Sequence, residues 1–321
     1  MSFPRAGTAQ EQYRRNRTTN RHVGRGAPFF PPDLMDRMPA PVDLRPTWSP
    51  WLVRLAAVSA ALCAVSLGGL LLDDRVIGGA PAWLKPAKFG ASGAMFLLSV
   101  AWMTHTLRPT RLLRVAESLI GAIIVAEIVI IMVQAARGRL SHFNIDTPLD
   151  AALFSSMGMG IATVWVLTMV VLALHLRTPH ADRALAVAFR AGLLLHIVGA
   201  GMGWMMTQPR PQQVAAMQRG ERPFVSGAHT MGGQDGGPGL PVTMWSRDHG
   251  DLRVPHFVGM HALQLLPLLL LGVRAVRGRR NDGLELGVLV ASAAAAYLLF
   301  AGALWQALHD HPVVAFLGGK T

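Results

Sequence analysis

The chain has 321 residues, 51% of them hydrophobic and only 15% charged, with a formal net charge of +12 and a single cysteine. A composition this apolar excludes an ordinary soluble domain. The lone Cys63 excludes an intrachain disulfide, an iron–sulfur cluster and a multi-cysteine zinc site, and no Cys-x-x-Cys-His is present for covalent c-type haem.

In chain order, residues 1–50 come first: rich in Arg and Pro, with Arg14, Arg15, Arg17, Arg21 and Arg25, and without the apolar stretch of a signal peptide. They predict a disordered basic tail that fixes topology or touches anionic lipid, not a nucleic-acid-binding module. A bilayer core about 30 Å thick needs roughly 20 apolar residues per helical crossing. Seven stretches meet that length, at 51–72, 89–107, 113–135, 150–175, 184–206, 256–275 and 285–307. The fifth carries Arg190 in its first turns, which predicts a guanidinium snorkelling toward headgroups.

Short loops rich in arginine stay cytoplasmic on insertion. Arg108, Arg111 and Arg114 follow the second stretch, Arg177 and Arg183 the fourth, and Arg274, Arg277, Arg279 and Arg280 the sixth. The expectation is an all-α polytopic bundle of about seven transmembrane helices, residues 51–307, in a bacterial plasma membrane. Its N-terminus is cytoplasmic, its long loop 207–255 lies outside, and its C-terminal tail 308–321 is extracytoplasmic. The bilayer is the predicted partner; no protein partner is indicated, and no internal repeat is visible.

With that topology the polar segments collect on one face. The loop between the third and fourth spans holds Arg137, His142, Asn144, Asp146 and Asp150; the long loop holds His229, Asp235, His249, Asp251, Arg253 and His256; the tail holds His309, Asp310 and His311. Loops of such length are uncommon as passive spacers and often form lids. Within the spans, Glu127, His196 and His261 lie at a common depth, about 20 Å from the cytoplasmic side at about 1.5 Å per residue. Gln134, two turns above Glu127, and Gln264, one turn below His261, extend the polar stripe. Intramembrane ionisable groups are costly and mark function. Gly199 and Gly203 follow His196 on about the same face and allow close helix approach. Lys85 and Lys88 read as interface markers, as do His105 and His175.

Two chemistries fit. The first is haem b or a divalent metal in a redox role. His196 would pair with His261 on a haem iron, or with His256, which a five-residue step turns about 140° from His261. For a protein-only metal, Glu127, His196 and His261 are the ligand set, with His249, His256, His309 and His311 a second set at the surface. Met157, Met159, Met202, Met205 and Met206 read as packing residues. The second chemistry is a proton-coupled or small-solute transporter or sensor without a metal, using Glu127, the histidines and the glutamines as a relay. A membrane metal-dependent hydrolase is a further alternative, without a His-Glu-x-x-His motif or an evident nucleophile to support it. Below Glu127 the third span is Ile, Val, Ala and Gly down to Glu117, which predicts a site open on one side only.

Four motifs carry a resemblance: Trp-Leu-Lys-Pro-Ala-Lys-Phe at 83–89, Arg-Gly-Arg-Leu-Ser-His-Phe-Asn at 137–144, Asp-Gly-Gly-Pro-Gly-Leu-Pro at 235–241, and Gly-Asp-Leu-Arg-Val-Pro-His-Phe-Val-Gly-Met-His-Ala-Leu-Gln at 250–264. In these the chain resembles a group of uncharacterised bacterial multi-pass membrane proteins with no assigned activity. The resemblance covers the second to sixth spans. It implies a membrane protein and assigns no residue a role.

Overall fold

A computed structural model describes residues 48–221, 223–278 and 281–316, all within one compact unit, Asp43–Thr321. The predicted N-terminal tail up to residue 47, Arg279, Arg280 and residues 317–321 lie outside the described residues. The fold is a helical bundle: α1 (Pro50–Leu72), α2 (Leu84–His105), α3 (Arg111–Ala136), α4 (Pro148–Arg177), α5 (Arg183–Gly201), α6 (Gly203–Thr207), α7 (Pro211–Gln218), α8 (Arg253–Arg277), α9 (Asp282–Leu308) and α10 (Val313–Phe316). A minimal hairpin, β1 (Val76–Ile77) with β2 (Ala80–Pro81), joins α1 to α2.

Four of the long helices start where a polar side chain takes an otherwise orphaned N–H. Thr110, Thr147, Asp182 and Asn281 accept from Leu113, Asp150, Leu185 and Leu284 respectively. Gly278 ends α8 in the left-handed region at φ 63°. The helices are apolar outward as well as inward: Leu71, Leu72, Leu265 and Leu298 are all largely exposed. Only a hydrocarbon solvent makes such surfaces favourable, and helices satisfy their own backbone there.

Six of the seven long helices are both long and apolar enough to cross a membrane; α2 is the exception. It packs closely on α1 and also meets α3. A Cβ on Gly90 would sit 2.8 Å from the Cys63 backbone, and one on Gly93 2.8 Å from Ile128. Meanwhile α1 and α3 run parallel. The Trp51 indole donates to Ser118 O at 3.4 Å near one end, and Arg75 donates to Ala136 O at 3.1 Å at the other. The chain must therefore return through α2, whose 22 residues rise about 33 Å.

The predicted fifth span, 184–206, breaks at Met202 into α5 and the short α6. Arg190 does not snorkel outward: its guanidinium donates to His175 O at 2.8 Å and Thr178 O at 3.1 Å, carbonyls at the end of α4. His175 is likewise no interfacial residue. It is fully buried, with Nδ1 3.2 Å from His180 Nε2. At the same end Arg274 binds Asp182 at 2.7 Å and Glu285 at 2.6 Å, clamping α5, α8 and α9 together.

The main apolar core, including Leu97, Val100, Ile120, Val164, Phe189 and Leu263, fills the middle of the bundle. A second core of Phe143, Leu195, Met202, Met206, Leu252 and Phe300 lies beneath the long loop. The bundle therefore has a loop-covered end and an opposite, arginine-rich end.

Candidate functional site beneath the loop

Helices α5 and α8 meet backbone to backbone. A Cβ on Gly199 would stand 2.6 Å from Gly259 Cα, and one on Gly192 2.9 Å from Ala262 O. Small residues at the seam allow that approach; Gly203 takes no part, with open space around it. The seam sets the rotation of α8. His256 Nδ1–H donates to Gly199 O at 2.7 Å, and His196 Nδ1–H donates to Met260 O at 3.1 Å, while the His196 ring stacks on Phe96 of α2 at 5.3 Å. His261 lies on the other side of α8, its Nδ1–H given to Phe257 O at 2.9 Å and its ring stacked on the exposed Phe257 at 4.0 Å. Of the two candidate partners for His196, His256 shares its seam. A carbonyl only accepts, so each of these imidazoles carries its proton on Nδ1 and leaves a lone pair on Nε2.

Above the seam the loop closes around Asp235. Its carboxylate accepts from the backbone N–H of His229 and of Thr230, both at 3.0 Å, and from His229 Nδ1 at 2.6 Å. Burial by itself would raise the Asp235 pKa, but the His229 hydrogen bond and those backbone N–H groups hold it well below the usual carboxylate range. Burial depresses the pKa of His229 despite the carboxylate beside it. At neutral pH the pair is therefore a carboxylate holding a neutral imidazole, again with Nε2 free.

The His229 ring meets Phe143 edge-on at 4.9 Å. Phe143 sits at φ 63°, a left-handed conformation that a bulky residue adopts only where its surroundings enforce it. Here Ser226 N–H binds Phe143 O at 2.8 Å and the ring packs on Phe154. Beside it, burial drives the His142 pKa well below its ordinary value, and the positive charge of Lys85 pushes it the same way.

Much of the predicted polar set is consumed in scaffolding. Asp150, fully buried, accepts from Gln134 at 2.9 Å, Arg137 at 2.8 Å and Thr147 at 2.7 Å. Arg137 also donates to Gln134. Asn144 bonds Leu140 O, and Arg139 pairs with Asp146 across a hollow of about 260 Å³. Asp251, also fully buried, accepts from Ser246 N at 2.8 Å and pairs with Arg253 at 2.6 Å, while Arg253 further donates to Met244 O. These groups hold the loop down. So does Asp310, which accepts from Gly232 N, Gly250 N and His249. His309 and His311 instead pack on Trp305.

What the scaffold leaves free is more informative. Glu127 is 5% exposed, and neither carboxylate oxygen has a hydrogen-bond partner among the described residues. Gln264 Oε1 is buried and unpartnered in the same sense. Lys85 Nζ lies over the Phe89 ring at 5.8 Å, while Lys88 Nζ donates to Thr243 O of the loop at 3.1 Å.

Sequence reasoning named Glu127, His196, His256, His142 and Asp235 for this end of the bundle. It left His229 as a loop histidine and overlooked Gly259. The signal for Gly259 was present, three residues from His256 on the seam-facing side. Among the described residues no three His, Cys, Asp or Glu side chains are grouped to hold a metal ion. No family model, no curated protein and no solved structure matches the chain.

Proposed function

We propose that the protein binds a small polar solute at the loop-covered end of the bundle and exchanges a proton at Glu127, as a proton-coupled transporter or sensor. On this reading the loop-covered end faces outward across a bacterial plasma membrane and the arginine-rich end, with the N-terminal side of α1, faces the cytoplasm. The observation that supports it is Glu127: buried, with both oxygens unpartnered. A buried carboxylate without a partner is expensive, and one in a membrane helix is best explained by a ligand or proton that visits it. The apolar core of Ile120, Leu97 and Val100 lies on the arginine-rich side of it, which favours access from the loop side.

The test is modification by the apolar reagent dicyclohexylcarbodiimide, which attacks protonated carboxyl groups, with mass spectrometry of the purified protein in detergent over a pH series. Glu127 should be a principal site, with labelling falling as pH rises. A Glu127 that stays unlabelled at every pH sinks the proposal.

A second reading, haem b or a metal in a redox role, is favoured by the histidine tautomers. His196 and His256 both present Nε2 with Nδ1 already anchored, the arrangement that orients ligating imidazoles. An absorption spectrum before and after dithionite, with metal analysis of the same sample, decides it. A reducible Soret band lost in His196→Ala or His256→Ala supports haem; a featureless spectrum from metal-free protein removes it.

A further inference from the structure

Where α5 ends, its exposed apolar surface continues into the loop. The 19 residues of α5 rise about 28 Å, close to the hydrocarbon thickness of a bilayer. They start at the charged clamp of Asp182, Arg274 and Glu285, so Gly201 falls at the far boundary of the apolar layer. Leu194 and Val198 are exposed on α5, and Trp204, 52% exposed, and Met205 follow in α6. A tryptophan at that depth suits the headgroup region, which accommodates both its apolar body and its N–H.

The next helix, α7, carries no charged residue and buries none of its eight side chains. A helix that short is marginal in water, so its surroundings must hold it. The protein holds one side. Gln213 Nε2 donates to Gly227 O at 3.1 Å, Gln213 Oε1 accepts from Gly227 N–H at 3.0 Å, and Arg210 donates to Ala228 O at 2.9 Å. Another side carries Val214 and Met217, one turn apart and both exposed, while Gln212, also exposed, lies roughly 160° around the helix from Val214.

We propose that α7 is an interfacial helix, lying in the lipid headgroup layer at the loop-covered end with Val214 and Met217 turned to the acyl boundary and Gln212 to water. The lipid surface is the partner because α7 continues from it. Ala228 N–H donates to Met206 O at 3.0 Å, and a Cβ on Gly227 would stand 2.4 Å from that same oxygen, so α6, α7 and residues 227–228 are joined as one unit. That unit ends immediately before His229. Lipid contact at α7 therefore steadies the turn that Asp235 closes.

The experiment is electron paramagnetic resonance of the full chain in lipid nanodiscs, with a nitroxide at Val214→Cys, Met217→Cys or Gln212→Cys in a Cys63→Ser background. Oxygen concentrates in hydrocarbon and a polar nickel chelate in water, so their collision rates report the surroundings of each label. Oxygen collisions should exceed nickel collisions at Val214→Cys and Met217→Cys, and the order should reverse at Gln212→Cys. Nickel dominating at all three means that α7 stands in water; low rates with both reagents at Val214→Cys and Met217→Cys mean that protein covers that face. Either result overturns the proposal. The link to the turn has its own readout, because Val214→Asp with Met217→Asp removes the lipid contact and leaves Gln213 and Arg210 in place. Amide exchange at Gly227, Ala228 and His229 in nanodiscs should then quicken, and exchange that stays the same overturns the link.

Discussion

His229 Nδ1 lies 2.6 Å from Asp235 Oδ2, and the same carboxylate takes the backbone N–H groups of His229 and Thr230. One side chain therefore fixes both the turn that begins the glycine-rich run and the tautomer of the imidazole beneath it. Asp235→Asn removes the anion and offers an N–H where acceptors are needed. Losing a hydrogen bond of this partly exposed kind costs about 0.5–1.5 kcal/mol. The expected outcome is faster amide hydrogen exchange at Thr230 and its neighbours, with helices α1–α5 unchanged. It should be accompanied by readier carbethoxylation of His229 by diethyl pyrocarbonate.

The loop should also loosen in mild acid. Burial holds His142 and His229 below the ordinary histidine value of 6.5, so below that pH the folded state binds fewer protons than the unfolded loop does. Stability contributed by a depressed histidine is present at neutral pH and is lost as pH falls below 6.5. Asp235 is depressed as well, but its contribution is lost only below the usual carboxylate range, so it does not account for a change near pH 6. Hydrogen exchange across residues 223–252, corrected for the intrinsic pH effect, should show protection falling between about pH 7 and about pH 5.5. His142→Gln should flatten that fall; an unchanged profile would refute the assignment.

The bundle was legible because hydrocarbon leaves few options: seven apolar runs became seven long helices, and Thr110, Thr147, Asp182 and Asn281 mark four of their starts. The seam was half legible. Gly199 announced a close approach, but α8 offers His256 and His261 about 140° apart, and only the Gly199–Gly259 contact selects between them. The site was less legible still. Asp235 reaches His229 through irregular backbone that has no periodicity to read. The sequence placed Asp146, Asp150, Asp235 and Asp251 together on one polar face without ranking them. Folding uses Asp150 and Asp251 as pins and leaves Glu127 free.

Replacing Gly199 should damage the site without touching a polar atom in it. A Cβ there would overlap Gly259 Cα at 2.6 Å, and backbone cannot rotate away as a side chain can. Overpacking of this kind costs about 1–3 kcal/mol. Gly199→Leu should lower the unfolding temperature in detergent and spread the helices enough to weaken the His256 bond to Gly199 O. Gly203→Ala, in open space, is the control and should leave the melting curve in place.

The orientation of the bundle yields to labelling, because Cys63 is the sole cysteine and a Cys63→Ser background is blank. At the arginine-rich end Arg108, Arg111 and Arg114 crowd one short connection, and Arg177 and Arg183 another. Because it is arginine and lysine retained in short loops that hold a connection in the cytoplasm, those connections should stay inside. In intact spheroplasts a membrane-impermeant maleimide should therefore label Asp248→Cys, on the loop, and spare Pro109→Cys, both exposed positions. Detergent should then make Pro109→Cys reactive. The reverse pattern would turn the protein over in the membrane and place the Glu127 site on the cytoplasmic side.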